Sequence, residues 1–584
     1  MIIKNIEALQ AQMKENGIDL YYFNTSDYHL SEYAPEYFKT IAYYSGFSGS
    51  LATLLVTLDD VYIFVDGRYY IQADKQCLPH GIKVIKLGQK DALDPISFIK
   101  KNYPDKILGL DGKRTSIKFA KDLIANGINI KSIDIYSDLI VDRAPLSDDP
   151  IYELEEKYTG LSRYKKLYLI KSLLKDKIHI VNNLEAIAYL LNLRGNDVKY
   201  TPVFLAYLII SDKEVHLFVD KDRLEKDLQD ALKKDGVSIH RYENFYNFVK
   251  TINDSNITLD ENKVNYETLV SLNETNNIYN AISFIDNMKA IKNPIEQSNV
   301  QLAHIYDGVA LLRFLMWIKD QDKSLLSEYD VAEKIDSLRK EYMADDLSFT
   351  SIVAYNENAA INHYAPKPDD CAMLDNNGIL LFDTGGQYKF GTTDVTRTIA
   401  LGEVSDEIKM YFTLVLKSMF NLSEIKFLKG LSGSQLDILA RKDLWQVGVD
   451  YRHGTGHGVG YNLSVHEAPP NIRHTKTENG SENREILPGM VFSDEPGAYF
   501  ENRFGIRCEN LLLCLNDENN EYGQFLRFKT LTLVPFDLNL IDINYLDEKT
   551  IEVLNAYHQR VYNTLLPYLN EQEAEYLEEL TRPI

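Results

Sequence analysis

Two stretches of the N-terminal half have the same order of apolar and polar positions. Residues 4–23 show the period of an amphipathic helix followed by the short apolar run of a strand, and residues 161–181 repeat this order. Further along, residues 54–68 and 207–223 each alternate apolar and polar positions around a charged turn, which predicts a β-hairpin. Both hairpins end in the tripeptide Phe-Val-Asp. The pattern indicates two copies of one α/β domain, with chance similarity between common hairpins as the alternative.

The C-terminal half begins with a long helical pattern. Pro294 lies at its N-terminus. Proline is well tolerated there, because the N–H groups of the first turn have no hydrogen-bond acceptor within the helix. Strands and helices then alternate less regularly, and the tail from residue 547 is an amphipathic helix that Pro567 is expected to kink or break. The apolar face of this tail contains Leu554, Val561, Leu565 and Leu569. The predicted domains are 1–150, 151–293 and 294–525, with a C-terminal extension at 526–584.

The composition is that of a soluble globular protein, since 45% of the 584 residues are hydrophobic and 26% are charged. The 63 basic and 86 acidic residues give a net charge of −23, which argues against nucleic acid or membrane as a partner and suits a protein that concentrates cations. No apolar stretch reaches the roughly 18 residues of a membrane span. The four cysteines form no C-x-x-C pair, and the N-terminal helix is no signal peptide. We expect a cytoplasmic protein.

Two acidic residues lie where solvated side chains are not expected. Asp383 ends the apolar run of residues 378–386, and Asp394 lies in the alternating segment 391–402 that follows. A hairpin between the two segments brings these carboxylates together. Neighbouring carboxylates repel each other unless a proton or a cation lies between them. The alternative is a pair of ordinary surface acids on a hairpin.

Two further carboxylates occupy similar positions downstream. Glu495 follows a strand pattern and precedes a proline, and Glu509 lies within a predicted strand, on the same face as Arg507 and with apolar neighbours on both sides. Buried carboxylates persist in proteins when they are paired or bound to metal. The chain therefore offers a set of four carboxylates for which pairing or a bound metal is expected.

A glycine-rich stretch at residues 451–470 supplies candidate nitrogen ligands. It contains His453, His457 and His466. It also contains glycines, which we expect to allow close approach of backbone and substrate because they have no side chain. A phosphate-binding loop is a weak alternative, because no helix N-terminus follows, and simple packing of the histidines is another. Aspartate, glutamate and histidine with oxygen in the majority suit a pair of hard or borderline divalent ions better than a closed structural zinc site.

Several motifs in this half closely resemble the aminopeptidase P (Xaa-Pro aminopeptidase) family of pita-bread metallopeptidases. They are "LFDTGGQYKFGTTDVTRT", "HGTGHGVG", "VHEAPP", "DEPGAY" and "GIRCEN", and the likeness extends upstream to "GFSGSLATLLV", "DGRYYIQADKQ" and "NLRGNDVKYTPVF". The resemblance covers almost the whole chain and is to the long, three-domain cytosolic type. It implies an α/β (α+β) fold with two creatinase-like N-terminal domains, a pita-bread catalytic domain and a C-terminal helical extension.

The resemblance also implies a role for each matching residue. Asp383 would chelate one metal ion, Asp394 and Glu509 would bridge both ions, and His457 and Glu495 would bind the second. Glu495 would also carry the proton during catalysis.

Four further residues match substrate-side positions of the family. His363 and His466 would bind substrate and steady the tetrahedral intermediate, His453 would form a wall of the proline pocket, and Arg507 would make a substrate-side or structural contact. Ordinary packing is the alternative for these four residues.

The implied activity is hydrolysis of the bond between an N-terminal residue and a following proline. The implied cofactors are two divalent ions, with manganese expected and zinc or cobalt as alternatives, and the implied assembly is a homodimer. Prolidase is the first alternative, although its usual architecture lacks the second N-terminal domain, and methionine aminopeptidases lack the entire front half. A non-catalytic peptide- or histone-binding relative is a further alternative, but such relatives have lost metal ligands.

Overall fold

The computed structural model describes residues 1–476 and 480–584. The chain forms two compact units, one from residues 1–155 and 161–286 and the other from residues 156–160 and 287–584. The predicted α/β class is confirmed by mixed helix and strand in both units. The limits predicted for the four domains stay predictions.

The N-terminal part of the first unit alternates short strands with helices. Its strands are β1 Leu20–Asn24, β2 Thr53–Thr57, β3 Val61–Val65, β4 Lys83–Lys86, β5 Ile107–Leu110 and β6 Asn129–Ser132. Its helices are α1 Ile2–Glu15, α2 Thr40–Ser45, α3 Tyr70–Cys77, α4 Pro95–Asn102 and α5 Ile117–Ala125.

The next part of the chain repeats this plan. Its strands are β7 Tyr152–Glu153, β8 Lys177–Val181, β9 Leu193–Arg194, β10 Ala206–Ile210, β11 Val215–Val219, β12 Val237–Arg241, β13 Asn256–Leu259 and β14 Asn277–Asn280. Its helices are α6 Glu156–Thr159, α7 Arg163–Leu174, α8 Leu184–Leu191, α9 Lys226–Lys234, α10 Phe245–Val249, α11 Tyr266–Ser271 and α12 Phe284–Ala290.

The two parts have the same sheet topology. Six strands follow the order β4-β3-β2-β1-β5-β6 in one sheet and β12-β11-β10-β8-β13-β14 in the other. The β2–β3 and β10–β11 pairs are the predicted antiparallel hairpins, and their second strands run into Asp66 and Asp220, the last residues of the shared tripeptide. The other four pairings also match in parallel or antiparallel sense. The predicted duplication is therefore confirmed.

The two copies meet through equivalent loops. Ser116 and Asn265 form an antiparallel bridge, and each caps the helix that follows it. The Ser116 side chain accepts a hydrogen bond from the Phe119 N–H at 3.1 Å, and the Asn265 side chain accepts one from the Thr268 N–H at 3.0 Å. Such caps satisfy N–H groups that a helix start leaves unpaired, so the same residues begin the helices and join the copies.

Over its described residues, the second unit consists of antiparallel strands and six long helices. Its strands are β15 Asp346–Leu347, β16 Ile352–Tyr355, β17 Ile379–Thr384, β18 Gly386–Tyr388, β19 Gly391–Thr392, β20 Val395–Ala400, β21 Lys426–Leu428, β22 Gly456–Gly458, β23 Glu467–Ile472, β24 Val491–Asp494, β25 Gly497–Phe500, β26 Phe504–Arg507, β27 Asn510–Asn520 and β28 Gly523–Thr530. Its long helices are α13 Pro294–Lys319, α14 Glu328–Glu341, α15 Asp406–Ser423, α16 Gly433–Gln446, α17 Glu548–Leu565 and α18 Glu571–Leu580.

Two sheets of this unit carry the site. One has six strands in the order β21-β28-β27-β24-β22-β23, and the other has three in the order β16-β17-β20. Helix α13 starts as predicted, with Pro294 in its first turn and Asn293 in a capping box with Glu296. Among the described residues, no helix combines the length and apolar character that crossing a bilayer requires.

The C-terminal tail forms two helices rather than one. Helix α17 ends at Leu565, and Pro567 lies in the short 3₁₀ turn before α18, as the ring and missing N–H of proline predict. Leu554, Val561 and Leu565 are fully buried in a core shared with α15, whereas Leu569 is partly buried at its edge. The tail is thus an integral part of the second unit.

Candidate active site

Asp383 and Asp394 lie at the same end of one strand pair. In the antiparallel β17–β20 ladder, Asp383 is opposite Thr396, and Asp394 immediately precedes β20. The chain between them makes a small excursion, the β18–β19 hairpin. The predicted proximity is therefore found, and both carboxylates are buried, with exposures of 8% and 4%.

Glu509 lies at a break between strands. The sequence predicts one continuous strand here, which is wrong, because β26 ends at Arg507 and β27 begins at Asn510 in a different sheet. Glu509 is only 1% exposed, and its N–H donates a hydrogen bond of 3.1 Å to the carbonyl of Thr396. Its carboxylate accepts one of 2.8 Å from the Thr396 hydroxyl. The break thus places Glu509 beside the β17–β20 pair.

His457 lies between Asp394 and Glu495. Its Nδ1 is 3.0 Å from the carbonyl oxygen of Gly458, which can only accept, so Nδ1 carries the proton and Nε2 offers a lone pair. That Nε2 is 3.5 Å from an oxygen of Asp394 and 3.5 Å from an oxygen of Glu495. Ser493 fixes the arrangement, because its hydroxyl accepts from the His457 N–H at 2.9 Å and donates to Glu495 at 3.2 Å.

The structure brings all five predicted ligand residues into one cluster. One donor atom each from Asp394, His457 and Glu509 lies within 4.8 Å of the other two. Asp383 has one oxygen 2.5 Å from Nη2 of Arg507, while its other oxygen is buried and accepts no hydrogen bond from the described residues. A buried carboxylate oxygen without a donor is a position that a cation can fill.

The electrostatics of the cluster also favour a bound cation. Burial, and then the charges of Asp383 and Glu495, raise the pKa of Asp394 well above its usual value. Burial, and then the charges of Asp394 and Asp383, raise the pKa of Glu509 in the same direction. Burial also raises the pKa of Glu495, against the opposing effect of His457. Four carboxylates around one arginine form an excess of negative charge, and the donor set fits divalent cations.

His453 and Arg507 are joined through a tyrosine that the sequence did not indicate. The Tyr499 hydroxyl accepts a hydrogen bond of 2.8 Å from Nη1 of Arg507 and lies 2.9 Å from Nε2 of His453. Nδ1 of His453 lies 2.8 Å from the Gly454 carbonyl, so its Nε2 is the acceptor for the tyrosine proton. Burial raises the pKa of Tyr499 to about 12, which keeps the hydroxyl protonated as this chain of bonds requires.

The other two predicted histidines lie in irregular segments. The rings of His466 and His457 are nearly perpendicular, with centroids 4.3 Å apart, so His466 borders the cluster. His363 is half-buried between β16 and β17. The carbonyl of its neighbour Asn362 is 3.5 Å from Nη2 of Arg507, which brings this segment to the edge of the site.

Sequence reasoning missed the supporting hydroxyl groups. Thr396 lies two positions after Asp394 in the alternating segment 391–402, and its hydroxyl donates to Glu509 and accepts from Nε of Arg507 at 3.1 Å. Ser493 has a similar function between His457 and Glu495. The alternation that placed Thr396 on the acidic face was a usable signal, whereas nothing local marked Ser493 or Tyr499.

The glycines around His457 give room to neighbouring backbone, which is one of the two uses that the sequence predicts for them. A Cβ at Gly456 would lie 1.9 Å from the carbonyl oxygen of Ser493, and one at Gly458 would lie 2.2 Å from that of Glu467. Neighbouring strands therefore need this space. The chain continues into β23 without a helix, so the phosphate-loop alternative lacks its helix N-terminus.

Comparisons with known proteins agree with this picture along the whole chain. Models of the creatinase/prolidase N-terminal domain match residues 5–140 and 142–296, the model of metallopeptidase family M24 matches 298–516, and the model of the C-terminal region of this peptidase family matches 524–584.

Full-length relatives and a solved structure narrow the assignment. A probable Xaa-Pro aminopeptidase P of Coprinopsis cinerea is 34% identical over 615 residues, covering 100% of this chain and 98% of that protein. Xaa-Pro aminopeptidase 1 of Dictyostelium discoideum is 33% identical over 620 residues, covering 100% and 97%. The crystal structure of X-prolyl aminopeptidase from Caenorhabditis elegans, a cytosolic enzyme with a di-nuclear active site, superposes with a TM-score of 0.93 at 31% identity over 100% of both chains. This chain therefore belongs to metallopeptidase family M24, within its group of long Xaa-Pro aminopeptidases.

Proposed function

We propose that this chain is a metal-dependent aminopeptidase that hydrolyses the bond between an N-terminal residue and a following proline. The observation that carries the proposal is one cluster of five side chains in a chain similar to Xaa-Pro aminopeptidases over its full length. The cluster contains three buried acids and two partly buried residues, namely Asp383, Asp394 and Glu509 with His457 and Glu495. The prolidase alternative is less well supported, because the full-length relatives are aminopeptidases.

The five clustered residues hold two divalent ions in this proposal. Asp383 would hold one ion, His457 and Glu495 would hold the other, and Asp394 and Glu509 would be ligands that both ions share. The unpartnered oxygen of Asp383 and the raised pKa values of Asp394 and Glu509 support a cationic occupant. Manganese is the metal we propose, since oxygen ligands predominate, and zinc and cobalt are the alternatives. Bound ions supply polarisation of the scissile carbonyl and a nucleophile at neutral pH.

The protein's own groups move the proton and stabilise the developing charge. Glu495 accepts a proton from the attacking water and returns it to the proline nitrogen, which must be protonated to leave as an amine. His466 and His363 donate hydrogen bonds to the oxygen that becomes negative in the tetrahedral state. Arg507 holds Asp383 and Tyr499 in place, and His453 forms one wall of the proline pocket.

Location and assembly complete the proposal. We place the enzyme in the cytoplasm, as its C. elegans relative is a cytosolic enzyme. We propose a homodimer of about twice the 67.1 kDa chain, with peptides carrying proline at the second position as partners. The domain limits are those predicted from the sequence, at 150, 293 and 525.

A peptide screen tests the activity directly. The purified protein, loaded with Mn²⁺, is offered three substrates: a tripeptide with proline second, the same tripeptide with alanine second, and the Xaa-Pro dipeptide. We expect release of the N-terminal residue from the first, with much slower cleavage of the second. Equal rates on the proline and alanine peptides would refute proline specificity, and activity confined to the dipeptide would favour prolidase. Repeating the assay after chelation and reloading with zinc or cobalt tests the choice of metal.

A further inference from the structure

Glu328, the first residue of helix α14, is a fully buried carboxylate with an exposure of 0%. It forms no ion pair with a lysine or arginine of the described residues. A buried charge of this kind is costly unless hydrogen bonds compensate for it. The groups that solvate Glu328 therefore indicate what it is for.

Among the described residues, all of the hydrogen bonds accepted by its carboxylate come from one segment, residues 355–372. Oε1 accepts from the Tyr355 N–H at 2.6 Å and from the Asn358 amide at 3.0 Å. Oε2 accepts from the Tyr364 hydroxyl at 2.6 Å and from the Ala372 N–H at 2.8 Å. The N–H of Glu328 in turn donates to the Ala372 carbonyl at 3.0 Å. One side chain thus joins both ends and the middle of the segment.

This segment has little structure of its own. It leaves β16 at Tyr355, forms a short 3₁₀ turn at Asn356–Ala360, and contains no strand or α-helix before β17 begins at Ile379. It contains His363, which is directly adjacent to Tyr364 in the chain. Buried backbone N–H groups need a hydrogen-bond partner, and outside a regular ladder a side chain can provide it. The carboxylate of Glu328 does this for the N–H groups of Tyr355 and Ala372, at the two ends of the segment.

We infer that Glu328 is a positioning residue that holds the segment 355–372 so that His363 is presented to substrate. The inference rests on the proposed function, since it gives His363 a role in that reaction. Glu328 touches no reacting atom, so its effect on catalysis passes through the segment. Tyr364 transmits most of this effect, because its hydroxyl binds Glu328 and its backbone continues directly into His363.

Substitution by glutamine tests the inference with little change in volume. In Glu328→Gln, the new amide NH₂ replaces an acceptor oxygen and meets either the Ala372 N–H or the Tyr355 N–H, so a buried donor is left unsatisfied. We expect kcat/KM for the proline tripeptide to fall about tenfold or more, with metal content unchanged. The matched control is Glu341→Gln, the same change at the exposed end of the same helix, which should behave as wild type.

A second variant covers the case in which Glu328→Gln folds poorly. Tyr364→Phe removes the hydroxyl that donates to Glu328, and it should lower kcat/KM by a smaller factor than Glu328→Gln does. Tyr329→Phe is its control, because that hydroxyl lies next to Glu333 instead. Wild-type kinetics for Tyr364→Phe and for a folded Glu328→Gln would overturn the inference.

A double-mutant cycle separates positioning from general destabilisation. If Glu328 acts through His363, the Glu328→Gln change should have almost no further effect on kcat/KM in a His363→Ala background. An equal loss in both backgrounds would overturn the inference, because it would show that Glu328 supports activity by another route. Failure of the proposed function has a different signature, which is a wild-type protein that does not cleave the proline tripeptide at all.

Discussion

The hydroxyl of Tyr557, on the C-terminal helix α17, accepts a hydrogen bond of 2.8 Å from the guanidinium of Arg397. The same guanidinium donates to the backbone carbonyl of Glu509 at 2.5 Å and to Asn510 at 2.8 Å. Arg397 is buried, with an exposure of 1%, and forms no ion pair among the described residues, so neutral acceptors alone satisfy it. The C-terminal extension therefore reaches the acidic cluster through one arginine.

The substitution Tyr557→Phe should destabilise the protein through this contact. Loss of one hydrogen bond to a buried, charged donor is expected to lower the free energy of unfolding by about 1–3 kcal/mol. Thermal unfolding of the metal-loaded protein measures the effect, with Tyr562→Phe on the same helix as the control. An unchanged unfolding midpoint for Tyr557→Phe would mean that the other acceptors of Arg397 suffice.

Asp394→Ala should abolish both activity and most metal binding. The reason is its proposed position between the two ions, where one carboxylate serves both. Elemental analysis of the purified variant measures the metal content, and Asp406→Ala, an exposed position at the start of α15, is the control. Two metal ions per chain in Asp394→Ala would contradict the assignment.

His466→Ala should keep its metals and lose rate. Its ring contacts the ring of His457, but its proposed role is to donate a hydrogen bond in the transition state. Removal of such a donor typically lowers kcat by about 10²–10³-fold. Steady-state kinetics and elemental analysis of the same preparation test both parts of the prediction. A variant that also loses metal would place His466 among the ligands.

The metal-free protein should become less stable as pH rises. The pKa values of Asp394 and Glu509 are raised in the folded state, so the folded protein binds more protons than the unfolded one, and the free energy of unfolding falls with increasing pH. The fall begins above the unfolded-state pKa of about 4 and ends once pH exceeds the raised folded-state values.

Thermal unfolding of chelator-treated protein from about pH 5 to about pH 8 measures this dependence. Asp394→Asn should show a shallower fall, because one of the buried acids no longer titrates. Saturating metal should also reduce the pH dependence in the wild type, since bound cations keep the carboxylates ionised. Identical pH profiles for the two metal-free proteins would show that other groups cause the effect.

The features that could be predicted from the sequence share a strong local pattern. The duplication was visible because period-2 alternation recurs with the same terminal tripeptide, and the break in the C-terminal helix was visible because Pro567 has no N–H. The acidic residues stood out because Asp383 and Glu509 interrupt apolar runs.

The remaining features depend on contacts between distant segments. The break at Cys508–Glu509 could not be predicted, because the residues around it are buried on both faces and leave no alternation to interrupt. Glu328, Thr396 and Tyr499 are ordinary in their local sequence, and each acquires its role from partners that the fold brings near. Sequence patterning therefore identified the acidic residues of the cluster and missed the residues that hold them in place.

The tight packing at Gly456 and Gly458 has a consequence for the history of this fold. Carbonyl oxygens of neighbouring strands occupy the space of both missing side chains, and these contacts involve neither a ligand nor a substrate atom. A descendant that had lost its activity would still be unable to accept a side chain at either position, while its former ligand residues would be free to drift. A relative that keeps glycine at both positions but has changed the ligand residues would thus be a protein that retained the fold after losing the activity.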